Sequence, residues 1–197
     1  MTTLTDIADL QSQTWSSGVA PDSVILWQNH CAGDGGGTFL FDAADTTSTD
    51  DSAMTIVTSS GRRYKRAWTQ LLATFWARND NTDCTSQITA MIAWINNQSD
   101  ATTCYFPRGV YQWSASPNFA IARAKFIPLG EVRIRYTGTG DAVILNGGAG
   151  VFDVTFGTAD SRFIIEAPSN ASHGVYCSHT HHSTIGVIVR GCGTGSA

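Results

Sequence analysis

The stretch Tyr105-Phe106-Pro107-Arg108-Gly109-Val110-Tyr111 decides how this chain is read. Aromatic and β-branched residues on both sides mark extended backbone. Pro107 cannot donate to a ladder, and Gly109 turns the chain. Upstream, Ile88, Met91, Ile92 and Ile95 recur at i, i+3, i+4 and i+7, one apolar stripe of a helix. The spacing predicts a helix over 85–97, with Asp83 or Thr85 as its N-cap and Asn96, Asn97 and Ser99 closing it. Downstream everything reads as strands: Thr102–Phe106, Val110–Ser114, Phe119–Ala122 and Lys125–Pro128, then an alternating Val132, Ile134, Tyr136 against Arg133 and Arg135. Further strands are expected at 142–145, 151–156, 162–166, 174–178 and 184–189. From residue 151 their starts are evenly spaced. Even spacing with Gly, Asn, Ser and Asp between strands suggests a sandwich, a barrel or a solenoid.

Composition agrees with a turn-rich β protein. The 197 residues carry 42% hydrophobic but only 14% charged residues, with 19 glycines. Two glutamates and two lysines leave little material for long helices. The net charge of -4 gives no global electrostatic case for nucleic acid. No apolar run approaches the ~18 residues of a bilayer span. Met1–Asp6 lacks the basic and apolar regions of a secretory signal. Cys31, Cys84, Cys104, Cys177 and Cys192 are odd in number and scattered, so they read as reduced thiols made in a cytoplasm.

Nearer the N-terminus, Ser23–Trp27, Thr38–Asp42 and Met54–Thr58 are strand candidates. They are separated by the Gly33–Gly37 turn, a Thr/Ser/Asp stretch from Asp42 to Ser52, and Ser59-Ser60-Gly61. This is a small hairpin-based module. Between Arg66 and Asn79 the residues alone fit either a helix (Trp68, Leu71, Leu72, Phe75, Trp76) or a short strand at 72–77.

The run from Asp80 to Asn146 resembles the start of the pectate-lyase-like right-handed parallel β-helix found in bacteriophage tailspikes. Asn79-Asp80-Asn81-Thr82-Asp83 takes the place of that family's opening loop, without its glycines. Ile88–Ile95 stands for its helix, and Tyr105–Tyr111 for its Tyr-Phe-Pro-x-Gly-x-Tyr motif. Gly33–Phe39, Asp45–Asp51 and Gly61–Arg66 look like the small module that often precedes this β-helix. The resemblance implies a mainly β chain. A virion-attachment or linking β module at 1–66 would be followed by a capping helix and the first coils of a parallel β-helix at 67–197. It favours the strand at 72–77. It further implies a structural virion component, a homotrimer docked on phage tail or baseplate proteins and displaying a host-glycan recognition region. Synthesis would be in the host cytoplasm, without nucleic-acid binding or membrane insertion. The alternatives are a polysaccharide depolymerase of lyase or hydrolase chemistry, and a carbohydrate-binding module. A helix laid over the first coil would cover its open core. A stack ending at Ala197 would lack such a lid, so a longer parent or a partner is expected there.

Candidate chemistry is weighed residue by residue. Gly33–Gly37 lacks the Gly-Lys-Ser/Thr ending of a phosphate cradle and reads as a turn. Alternation puts Cys177, His179 and His181 on one face with His182 nearby, but no fourth ligand is evident, so neither a metal nor another cofactor is assigned. Glycan cleavage needs two positioned carboxylates. Glu131, Asp141, Asp153, Asp160 and Glu166 are available, Asp141 reading as a turn residue, and no pair stands out. A lyase would add Arg or Lys, for which Arg108, Arg123, Arg133, Arg135, Arg162 and Arg190 are candidates. No catalytic residue is assigned. Arg62, Arg63, Lys65 and Arg66 read as a solvated face or a contact for an acidic neighbour. Trp15, Trp27, Trp68, Trp76, Trp94 and Trp113 read as core or interface anchors.

Overall fold

The structure is a computed structural model that describes residues 1–16, 18–32, 34, 36–98 and 100–192. Two compact units emerge, one of Met1–Thr69 with Thr74–Trp76, the other of Gln70–Ala73 with the chain from Ala77 onward.

The first unit is a five-stranded sheet. Its elements are β1 (Thr2–Leu4), α1 (Ile7–Gln11), β2 (Ser23–Leu26), β3 (Gly37–Phe41), β4 (Thr55–Val57) and β5 (Arg63–Ala67). The strand order is β1-β2-β3-β5-β4, antiparallel except for β1 on β2. The polar N-terminal stretch carries no hydropathy signal for β1 or α1. The helix is capped by Asp6, which accepts from Asp9 N at 2.9 Å, and it buries Ile7 and Leu10 against Val24, Leu26, Phe39, Ile56 and Tyr64. The Thr/Ser/Asp stretch is a chain of Asx turns. Asp42, Asp45, Asp50 and Asp51 each accept backbone N–H groups from the residues that follow them.

The second unit begins with β6 (Leu71–Leu72), a 3-10 turn at Ala73–Phe75, β7 (Asp80–Asp83) and α2 (Thr85–Asn96). The strand expected at 72–77 is therefore corrected to Leu71–Leu72 alone. Phe75, Trp76 and Ala77 are consecutively buried, and Ala77 N closes a helical bond to Ala73 O at 2.9 Å. The N-cap position of α2 is Cys84; Asp83 Oδ1 nevertheless accepts Thr85 N at 3.0 Å.

Stacked coils follow: β8 (Thr103–Trp113), β9 (Lys125–Tyr136), β10 (Asp141–Phe152), β11 (Thr155–Phe156), β12 (Phe163–Glu166), β13 (His173–His181), β14 (Thr184–Ile185) and β15 (Val187–Arg190). The pairings are parallel throughout the described residues: β6 and β7 on β8, β8 on β9, β9 on β11 and β12, and these on β14 and β15. A second sheet pairs β10 with β13. This is a parallel β-helix.

Four strand expectations merge into two. Pro107–Gly109 is a bulge within β8, and β9 runs through Pro128 and Gly130. Gly109 adopts φ +153°, and a Cβ there would stand 2.5 Å from Asn79 O. The glycine of the Tyr-Phe-Pro-Arg-Gly motif is thus dictated by the opening loop lying against it. Within that loop Asn81 takes the left-handed conformation (φ +70°) that the missing glycines would otherwise supply. No strand forms at Phe119–Ala122; only Asn118 bridges to Ile144. Asn118 turns its amide onto Asn146 O (2.9 Å), and Ile121 N bonds Phe119 O, so the chain bends there.

The stack's interior is aromatic: Phe106, Tyr111, Trp113, Phe119, Phe126, Phe156 and Phe163 are fully buried. Trp113 Nε1 donates to Ala142 O at 2.7 Å, so the indole is satisfied. Over the first coil, α2 turns Ile88, Met91 and Ile95 inward, and the Cys104 thiol meets the Met91 sulfur at 3.7 Å. At the last described coil Ile185 and Val189, in register with buried Phe156 and Ile165, are exposed. Residues 193–197 lie outside the described chain.

Candidate functional site

In the first unit the basic cluster divides. Arg62 lies over Phe41 at 4.9 Å; Arg63 donates to Gly61 O and Ser48 O, and Lys65 pairs with Asp45. The Lys65 ammonium, helped by Ser48, holds the Asp45 carboxyl well below its usual range. Arg66 departs from the expected solvated face and is buried. Its guanidinium donates to Asn29 Oδ1 (2.7 Å), Ala53 O (2.8 Å) and Gly36 O (3.1 Å), between the rings of Phe39 and Phe75. Burial lowers its pKa to about 10, opposed by Asp34 and Asp51, so it stays charged at neutral pH. Asp34 in turn accepts the backbone N–H groups of Asn29, His30 and Cys31 at 2.6–2.9 Å. Gly33 and Gly35 lie outside the described residues.

On the outer face of the coils, Gln112, Arg135, Glu166 and Arg190 stand in one row, with Arg133 in the next. Glu166 is shared by Arg133 (3.5 Å) and Arg135 (3.7 Å), and Arg133 also holds Glu131 at 2.9 Å. Glu131 and Glu166 are thereby engaged by cations.

Asp141 is corrected from turn to first residue of β10, where its carboxylate meets His173 Nδ1 of the next coil at 2.7 Å. Asp153 adopts φ +61° at an exposed corner, and Asp160 lies in the exposed turn before β12. Arg162 donates to Ala159 O at 2.8 Å. The Cys177-His179-His181 alternation is interrupted: His179 takes φ +53° where the β10–β13 register shifts, and its Nδ1 lies 2.7 Å from Ser178 Oγ. Among the described residues no three His, Cys, Asp or Glu side chains gather around a point where a metal would sit. All five cysteines are free. Burial pushes the Cys84 thiol up to about 12 and raises that of Cys104 further. Trp76 and Trp113 are core residues, whereas Trp27 and Trp68 are exposed.

The coil corner has no counterpart among the sequence expectations. Arg123, Asp153 and His182 each stand just before a stacked strand start (Lys125, Thr155, Thr184), and all three have φ between 53° and 61°. The residue before each, Ala122, Phe152 and His181, faces outward. Phe152 and His181 stack with ring centroids 4.9 Å apart. The signal that could have found it is the recurrence of Lys125-Phe126, Thr155-Phe156 and Thr184-Ile185 at nearly equal intervals.

Residues 3–69 match the model of the phage tail protein small four-stranded β-sheet domain. Among curated proteins nothing matches the sequence. Of solved structures, the chain is similar to the tailspike gp49 of Acinetobacter baumannii bacteriophage Fri1, described as a capsular polysaccharide depolymerase. The identity is 12% and the TM-score 0.57, over 98% of this chain and 46% of that one. It is similar to the enzymatically active domain of bacteriophage CBA120 tailspike protein 4, at 16% identity and TM-score 0.57, over 98% and 33%. The Acinetobacter baumannii phage AM24 tailspike matches at 16% identity and TM-score 0.51, over 95% and 34%. The chain thus spans a third to a half of the length of these tailspikes. Residues 3–69 are thus similar to a phage-tail β-sheet domain, and the coils that follow share the parallel β-helix fold of tailspikes.

Proposed function

We propose that residues 1–66 attach the chain to tail or baseplate proteins of the virion, and that residues 67–197 supply the cap and first coils of a rigid shaft displaying a host-glycan recognition region. The observation that carries this reading is the run of in-register parallel pairings from β8 through β9 and β12 to β15, headed by α2 and preceded by the tail-domain match. A stack in which each coil pairs only with its neighbours transmits load along its axis and holds what it carries at a fixed distance. The working form is a homotrimer. Light scattering on the purified chain tests this: a stable trimer is expected, and a monomer at all concentrations overturns the trimeric appendage.

The second reading, a host-polysaccharide depolymerase, is favoured by the description of the Fri1 tailspike. Within this chain Glu131 and Glu166 are tied to arginines and Asp141 to His173. Display rather than cleavage is therefore the role assigned to these coils. Release of reducing ends from capsule or lipopolysaccharide by this chain alone would reverse that assignment.

A further inference from the structure

The corner of the coils holds a cleft of about 540 Å³. It is lined by Phe152, by Ala122 and Arg123 of the preceding coil, and by Asp153, Asp100, Asn96 and Gln98. The stacking order of the corner explains why an aromatic face is open here. Neighbouring coils repeat at roughly 4.8 Å, so equivalent outward side chains lie one above another. On one side Phe152 is covered by His181, nearly parallel at 23°. On the other side the corresponding residue is Ala122, whose methyl is too small to cover a phenyl ring. Phe152 therefore remains 52% exposed although it stands in the middle of a stack. Left-handed backbone at Arg123 and Asp153 places these two charged residues at the same corner as the open ring.

We propose that this cleft is a saccharide-binding subsite, with an uncharged pyranose ring seated over Ala122 against the free face of Phe152. A pyranose has one face of C–H groups and a rim of hydroxyls. The first matches an aromatic platform, and the second matches carboxylates, amides and a guanidinium, which accept and donate in fixed planes. Two acids against one arginine leave the lining of the cleft net negative, which selects against acidic sugars. A peptide ligand is disfavoured because the cleft presents one flat ring rather than a row of alternate side-chain pockets along a free strand edge. The subsite stands apart from the oligomeric state and from the depolymerase reading, because it requires binding without turnover.

The test is saturation-transfer and chemical-shift NMR on the full 197-residue chain with methyl glucoside, methyl galactoside, N-acetylglucosamine and glucuronate at millimolar concentrations. At least one neutral sugar is expected to bind, with its ring protons receiving saturation and Phe152 ring signals shifting. Phe152→Ala should weaken it about tenfold, the scale of a lost aromatic platform. Ala122→Phe, which leaves Phe152 in place and covers its open face from the preceding coil, should abolish binding. Tyr176→Ala, away from this corner, should leave binding unchanged. Thermal melts identify a variant that has lost its fold; if Phe152→Ala is such a variant, Ala122→Phe decides alone. Absence of binding by every neutral sugar overturns the proposal. So does unchanged affinity in Ala122→Phe, or tighter binding of glucuronate than of the neutral sugars.

Discussion

Arg66 brings a full charge into the centre of a small five-stranded module, and the module has arranged itself around it. Three acceptors and two aromatic faces serve one guanidinium. Arg66→Met keeps the volume but leaves Asn29 Oδ1, Ala53 O and Gly36 O without their donor. A loss of about 3 kcal/mol or more is expected, because buried acceptors without partners each cost roughly 1–3 kcal/mol. Urea unfolding of the first unit measures it. Sequence reasoning puts Arg66 in a surface cluster because a run of four cations carries no mark of which one turns inward. Only the register of β5 on β3 decides that. A second residue-scale effect concerns acid. The Arg78 guanidinium holds Asp80 far below the ordinary carboxylate range, the Thr85 N–H lowers Asp83, and Lys65 lowers Asp45. These groups bind a proton more readily unfolded than folded, so their stabilisation is present above the ordinary carboxylate pKa and lost as pH falls. The melting temperature is expected to drop progressively below about pH 5. Asp80→Asn should flatten that dependence, as measured by thermal melts across the acid range.

Among the elements, β8 and β9 show how punctuation misleads in a solenoid. Proline and glycine in Pro107-Arg108-Gly109 and Pro128-Leu129-Gly130 read locally as strand ends, yet both triplets sit inside continuous strands and kink successive coils at neighbouring places. The recurrence of Pro-x-Gly one coil later is itself visible in the sequence. Local punctuation outweighs it, since proline removes a donor wherever it stands and only a paired coil shows that the loss is tolerated. The helix is legible because its apolar stripe needs no partner to be seen. The segment 72–77 is not, because its large apolar residues fit either period. Gly109→Ala tests the kink: a Cβ 2.5 Å from Asn79 O, on backbone at φ +153°, forces the opening loop away. Hydrogen exchange should show lost protection at Val110 N, which bonds Asn79 O at 2.9 Å. Unchanged protection there would mean that the loop does not depend on that glycine.

For the molecule as a whole, burial varies along the stack as well as between interior and surface. Phe156 is sealed by neighbouring rings, whereas Ile185, its register partner one coil on, is 41% exposed. Phe156→Ala is expected to cost about 3–5 kcal/mol, and Ile185→Ala under about 1 kcal/mol, because the exposed side chain has less burial to lose. Equal costs in urea titrations would show that the last described coil is covered in solution. The fold class is legible because strand spacing and the helix–strand order both survive in sequence. The corner at Phe152 is not, because outward residues obey no hydropathy rule, and their neighbours are set by the length of a whole coil, beyond the reach of any local pattern.

The regularity of those corners has a consequence for exchange of parts. Arg123, Asp153 and His182 bend the backbone alike at equivalent places, so a cut made at one corner matches a cut made at any other. A stretch of foreign sequence spanning a whole number of turns would enter and leave with the chain pointing the same way. The capped first coil and the coils stacked on it are in this sense interchangeable cassettes, joined at a standard fitting.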